Sequence, residues 1–156
     1  MDIFVYIKRV QARQNAYPQC SDEQALVYAC EDVVDHELGS PLLHGTAIQD
    51  FVLSVCHHEN IEPPFIRHHR NPAVQASADL DSWTVCVTRR AITTSVIVHE
   101  LAHFSVGIDS HGVLFRDELI RLLRSNVSLE HAALLHSLFT HVGLEMSPWS
   151  ASARRY

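Results

Sequence analysis

The chain has 156 residues, 47% hydrophobic and 19% charged, with a formal net charge of −6 when its 12 histidines are neutral, which suits one sizeable core and is short for two domains. No apolar run approaches the roughly 20 residues of a membrane span, and in MDIFVYIKRV the acid precedes and the basic residues follow the apolar part, the reverse of a secretory signal, so a cytoplasmic protein is expected. The acidic balance and the lack of a long lysine or arginine run argue against a phosphate-tracking surface, so direct DNA binding is expected to be weak; Lys8-Arg9 with Arg13, Arg67-His68-His69-Arg70, Arg89-Arg90 and Arg154-Arg155 read as ordinary solvated charge.

In chain order, Asp2 to Val10 alternates well enough for a strand or extended arm, and Gln11 to Gln19, polar and containing Pro18, reads as a linker. Ser21-Asp22-Glu23-Gln24 fits a capping box and starts a helix that should run to about Leu38, where Gly39-Ser40-Pro41 breaks it. Thr46-Ala47-Ile48-Gln49 repeats the cap and launches a second helix towards Glu59, with Ile48, Val52 and Val55 as its apolar stripe. Phe65 to His69 and Ser82 to Thr88 are strand candidates, the latter with Trp83, Val85 and Val87 on one face; it reads as an ordinary core strand sooner than as an edge that could pair with a peptide. Helices follow at about residues 92–106, 111–125 and 128–142, the last carrying Leu129, Ala132, Leu135 and Leu138. The expected class is α+β, a short sheet packed against about five helices in a single domain over residues 1–156, with 1–20 as an N-terminal strand or arm.

The helix over 92–106 carries the chemistry. It reads TTSVIVHELAHFSVG from Thr94, with Ile97, Leu101 and Phe104 on one stripe and Val96, His99 and His103 on the next. His99-Glu100-Leu101-Ala102-His103 is an HExxH pattern, and one helical turn sets both imidazoles on nearly the same face, where they can bind one zinc ion. Buried polar groups left without partners cost about 1 to 3 kcal/mol each, so two histidines and a glutamate in an apolar helix call for something that satisfies them. Glu100 flanks the metal as general base for water. Gly107 is the expected helix stop.

A catalytic zinc needs a third protein ligand and an open position. His111 is the foremost candidate, since it follows the turn Gly107-Ile108-Asp109-Ser110 and opens the amphipathic segment HGVLFRDELIRLL, with Phe115, Leu119 and Leu122 in register. Asp109 is its competitor, because a carboxylate also ligates zinc and its loop is equally close. Asp109 or Asp117 could orient a ligand histidine from behind, although Asp117 reads better as an exposed acid near a helix start. Tyr28, Arg116, His131 and His136 are candidates for stabilising an oxyanion. The pairs His57-His58 and His68-His69 are read as surface residues, because neighbours in sequence do not share a face. Cys20, Cys30, Cys56 and Cys86 form no CxxC pair and read as reduced thiols.

His99-Glu100-Leu101-Ala102-His103 followed by His111-Gly112-Val113-Leu114-Phe115 resembles the SprT-like zinc metallopeptidases, whose pattern is HExxH, a variable spacer and HGxxF. The nearer likeness is to small actinobacterial and phage metallohydrolases of SprT-like type, which carry an early helix similar to Asp22 to Glu31; the resemblance covers roughly residues 20–146. It implies a small zincin, with strands forming one wall of a cleft and the HExxH helix behind them. It further implies His99, His103 and His111 as zinc ligands and Glu100 as general base. The spacer between His103 and His111 is shorter than in many such enzymes, and the zinc ribbon that many append is missing from the cysteine pattern. The metzincin pattern HExxHxxGxxH is not met.

The expected function is therefore a zinc-dependent metallopeptidase with a protein or peptide substrate, which the resemblance links to DNA-associated or regulatory proteins. Two alternatives stand beside it. One is a metal hydrolase acting on a non-peptide substrate, such as RNA, against which Glu100 speaks. The other is a non-enzymatic zinc-containing protein of the kind a phage uses to block a host partner.

Overall fold

The computed structural model describes residues 2–70, 75–88 and 91–149. Arg89-Arg90 and Arg154-Arg155 lie outside them. Among the described residues there are six α-helices and five strands, an α+β composition. The chain divides into two compact units, one made of the segments up to Gly39 and from His111 onward, the other of Ser40–Ser110.

The first unit is helical. Helix α1 spans Ile3–Gln14, where the alternating pattern suggested a strand or arm. Asp2 caps it by accepting a bond from Phe4 N at 3.0 Å, and Tyr6 and Val10, one turn apart, are its buried residues. The apolar run Ile3, Val5, Ile7 fits a two-residue period, but Val5 is exposed and Phe4 more so; the three-and-four spacing of Ile3, Tyr6 and Val10 is the one tertiary packing uses. The expected linker begins correspondingly later, since Gln11 to Gln14 are helical. Helix α2 (Asp22–Leu38) starts as its capping box predicts, Ser21 Oγ accepting from Gln24 N at 3.2 Å, and stops at Gly39 with φ 70°. Arg9 and Arg13 of α1 reach across to α2, pairing with Glu37 at 3.0 Å and Asp32 at 2.6 Å, and Tyr17 also donates to Asp32. Two of the basic residues expected to be plain solvated charge thus tie helices together.

Helices α5 (Val113–Asn126) and α6 (Leu129–His141) complete this unit. Phe115, Leu119 and Leu122 of α5 are buried, as are Ala132, Leu135 and Leu138 of α6, whereas Leu129 is half exposed at 52%. Ser128 caps α6 by accepting from His131 N at 3.0 Å, and α6 packs on α2, α5 and α1.

In the second unit, helix α3 covers Thr46–Glu59 with Ile48, Val52 and Val55 inward. Its cap position is Gly45, without a side-chain bond, so Thr46 is the first helical residue and not the cap expected of it. Strand β2 (Phe65–His69) matches its predicted bounds and pairs in parallel with β4 (Thr84–Thr88). Between them, in the stretch expected to be irregular, β3 (Ala76–Asp79) pairs antiparallel with β4. The order β2-β4-β3 puts β4 in the middle, and Val85 and Val87 are fully buried. Both its hydrogen-bonding edges are occupied, so the core reading of this strand holds and a peptide cannot pair with it. Trp83 is not on the strand face; it takes φ 50° in the turn and donates from Nε1 to Glu62 O at 2.9 Å. The turn is set by Asp79, whose Oδ1 accepts from Asp81 N at 3.1 Å and Ser82 N at 3.2 Å. A second ladder joins β1 (Leu42–Leu43) to β5 (Ile92–Thr93), antiparallel. It hands the chain directly into helix α4 (Thr94–Val106), which packs on α3, β3 and β5.

All four cysteines are free thiols, and His57, His58 and His68 are exposed as expected, whereas His69, expected with them, is half-buried. Among the described residues no helix is long and apolar enough to cross a membrane.

The helical state of α1 is open to a direct check. Lys8 is exposed at mid-helix, so Lys8→Pro should cost about 3 kcal/mol in urea unfolding by removing one helical bond and clashing with the preceding turn, while Lys8→Ala should stay within about 0.5 kcal/mol of the parent.

Candidate metal centre

Helix α4 is buried almost all round: from Thr94 to Phe104, every residue but Val96 is at most 7% exposed, and His99, Glu100 and His103 are at 5%, 7% and 5%. Thr93 caps the helix, its Oγ1 accepting from Val96 N at 3.4 Å. Gly107 ends it in the left-handed region at φ 67°, a conformation that costs a side-chain-bearing residue energy. The imidazoles of His99 and His103 lie edge to face with centroids 5.2 Å apart, as one helical turn dictates.

The turn after Gly107 brings the chain back. His103 Nδ1 donates to the Ile108 carbonyl oxygen at 2.8 Å. A ring that spends its Nδ1 proton on a carbonyl carries its lone pair on Nε2, the tautomer a metal ligand needs. Burial pushes the His103 pKa down to about 4, with the neighbouring His99 acting in the same direction and the Ile108 carbonyl and Asp109 opposing it. The ring is therefore neutral at pH 7, and no proton competes there with a metal ion.

His111 stands three residues beyond Ile108 and is 8% exposed. Its ring is met edge-on by Phe115 at 4.8 Å and by Tyr28 at 5.2 Å; the phenylalanine of HGVLF is thus a wall that orients the histidine four residues before it. One ligand nitrogen from each of His99, His103 and His111 lies within 4.8 Å of the other two. Three buried histidines so grouped could hold a metal ion. Neutral imidazole suits zinc, copper, iron or nickel.

Asp109, the competing third ligand, is exposed and does not belong to this group. It acts on His103 only through its charge. Asp117 does not orient a ligand either; it accepts from Ser147 N at 3.0 Å and Ser147 Oγ at 2.5 Å. The orienting partner is instead the backbone carbonyl of Ile108, a group with no side-chain signature in a sequence. Among the oxyanion candidates, His131 faces Asp35 Oδ1 at 3.3 Å between helices, and His136 bonds to Ser147 O at 2.9 Å on the exposed surface. Arg116 is buried and reaches the His111 carbonyl oxygen at 2.6 Å. Tyr28 alone of the four sets its ring beside one of the three imidazoles, that of His111, and its hydroxyl accepts from Gln24 Nε2 at 3.3 Å. Searches against family models, curated proteins and solved structures find no match to the chain.

The depressed His103 pKa fixes a direction for acid sensitivity. Below pH 6.5 the unfolded chain takes up a proton at this position that the metal-free folded chain refuses until about pH 4, so stability present above pH 6.5 is lost as pH falls towards 4. The loss approaches about 3 kcal/mol from this residue, and the buried His131, also shifted down by desolvation, adds to it in the same direction. Urea unfolding of chelator-treated protein at pH 7 and pH 4.5 should show the drop, and His103→Gln should flatten it.

Proposed function

We propose that the chain is a zinc-dependent metallohydrolase that cleaves peptide bonds, with His99, His103 and His111 as metal ligands and Glu100 as general base. The observation that carries this reading is the convergence of three buried histidine nitrogens within 4.8 Å, with a buried glutamate next to the first of them on the same helix. Three ligands leave a fourth position for water or substrate, which distinguishes a catalytic zinc site from a closed structural one. The resemblance of HELAH and HGVLF to the SprT-like pattern supports the same assignment residue by residue.

Bound there, the ion supplies a Lewis acid that acidifies water and polarises a substrate carbonyl. The protein's own residues do the rest. Glu100, one residue on from His99 and so about 100° further round the helix, takes the proton of the attacking water and passes it to the leaving nitrogen, the double role a carboxylate fills in amide hydrolysis. At 7% exposure that carboxylate is shielded from bulk solvent, so its charge acts more strongly on what lies beside it. His103 is held in the ligating tautomer by Ile108, and His111 is walled by Phe115 and Tyr28. A protein or peptide is the proposed substrate, with a DNA-associated or regulatory protein as the class the resemblance favours.

Metal analysis by mass spectrometry on untagged protein should find a single zinc per chain, lost in His103→Ala and in His111→Ala. Glu100→Gln should keep the zinc and lose about 10²- to 10⁴-fold in kcat on a peptide substrate. Parent-like cleavage by Glu100→Gln, or a parent chain without metal after purification in zinc, would sink this reading and favour a binding role for the chain.

A further inference from the structure

We propose that Arg116 is a positioning residue of the metal centre, whose guanidinium fixes the backbone from which the third imidazole projects by bridging His111 to Glu145 and Glu23. The inference rests on the three-histidine centre proposed above and extends it to a residue that touches no ligand ring.

His111 immediately precedes Gly112, the cap residue of α5, and that cap makes no side-chain hydrogen bond. Asp2, Ser21, Thr93 and Ser128 pin the entries of four helices with a side-chain oxygen; at α5, as at α3, the cap is a glycine and no side chain of that kind holds the approach of the chain. Arg116 takes over from one turn inside the helix. Its Nη1 donates to the His111 carbonyl oxygen at 2.6 Å and to Glu23 Oε1 at 2.9 Å, while Nε and Nη2 donate to the Glu145 carbonyl oxygen at 3.3 and 2.9 Å. The side chain is 3% exposed, and its one carboxylate partner is 55% exposed. A cation so placed is held mainly by the two carbonyl oxygens it bridges.

Those oxygens belong to segments that are themselves anchored. Glu145 lies in the stretch after α6, which Asp117, the neighbour of Arg116, grips at Ser147 through both carboxylate oxygens. Leu144 N bonds to Phe139 O at 2.9 Å and fixes the start of the same stretch. Arg116 therefore spans a set distance from an anchored strap to the His111 backbone. The planar fork of a guanidinium can hold two directions at once, which the single ammonium of a lysine does not. Phe115 and Tyr28 orient the ring; Arg116 sets where that ring starts from.

The test compares zinc affinity, by competition with a chromophoric chelator, and the visible spectrum of the Co²⁺-loaded protein across Arg116→Met, Arg116→Lys and Arg121→Met. Arg121 makes a two-point pair with Glu118 on the same helix, at 2.9 Å to each oxygen, ten residues after His111 in sequence; it serves as the control for losing an arginine–carboxylate pair of α5. Arg116→Met should weaken zinc binding about ten- to a hundred-fold and dim the four-coordinate Co²⁺ bands. Arg116→Lys should recover part of both, and Arg121→Met should match the parent in both while losing stability in urea. Parent affinity and spectrum in Arg116→Met, or in Arg116→Lys if the methionine variant does not fold, would overturn the positioning role and leave the three-histidine centre standing. A parent chain that binds neither Zn²⁺ nor Co²⁺ would overturn the centre and this inference together.

Discussion

The hydrogen bond from His103 Nδ1 to the Ile108 carbonyl is the interaction on which the centre turns. It selects the tautomer of His103, fastens the turn that follows Gly107 to the helix that turn has just left, and so fixes the point from which the chain sets out towards His111. A side-chain substitution at Ile108 leaves the acceptor in place, because the bond uses the backbone. The arrangement is thus protected against drift at the very position that supports it.

Helix α4 shows why this point needs such control. A helix buried on nearly every face has no polar side on which to put two imidazoles and a carboxylate. Inside the protein, charge on any of them is costly unless it is paired. Desolvation answers for His103 by holding the ring neutral, and neutrality is also what ligation demands. The same burial that would penalise a charged histidine leaves this one in the protonation state a metal ligand needs. The expense falls in acid, where the unfolded chain gains protons that the folded chain cannot accept.

The parts of the fold that sequence makes legible are those governed by local chemistry. Ser21 as cap, Gly107 as stop, the stripes of α3 and α5 and the histidine triad of HELAH and HGVLF all follow from spacing, and all reappear in space. What escapes spacing is whatever depends on distant partners. Ile3 to Val10 fits both a strand and a helix period, and only packing on α2 and α6 decides for the helix. Strand β3, the sequence Ala-Ser-Ala-Asp, alternates in burial but over only four residues and with nothing larger than alanine on its inner face, too weak a signal to mark a strand until β4 offers it a partner. Arg116 carried a signal that was open to a different reading: it shares the inward stripe of α5 with Leu119 and Leu123, and an arginine on an apolar stripe implies an internal anchor sooner than a group facing substrate. Ile108 carried none, since its contribution is a carbonyl that every residue possesses.

The helical unit is discontinuous in sequence, and this bears on how the chain is built. α1 and α2 are made before α6 and can meet each other early, but the face of α2 that receives α6 stays open until all of Ser40–Ser110 has been made. Ser40–Ser110 is continuous and has no such wait. Contacts separated by so much chain carry a larger closure entropy and form late. His111, the residue that opens the returning segment, is made after the whole of the helix that carries His99 and His103. The α2–α6 contact thus closes over the whole of Ser40–Ser110, and the apolar surface of α2 that α6 covers stays without that partner until the chain returns.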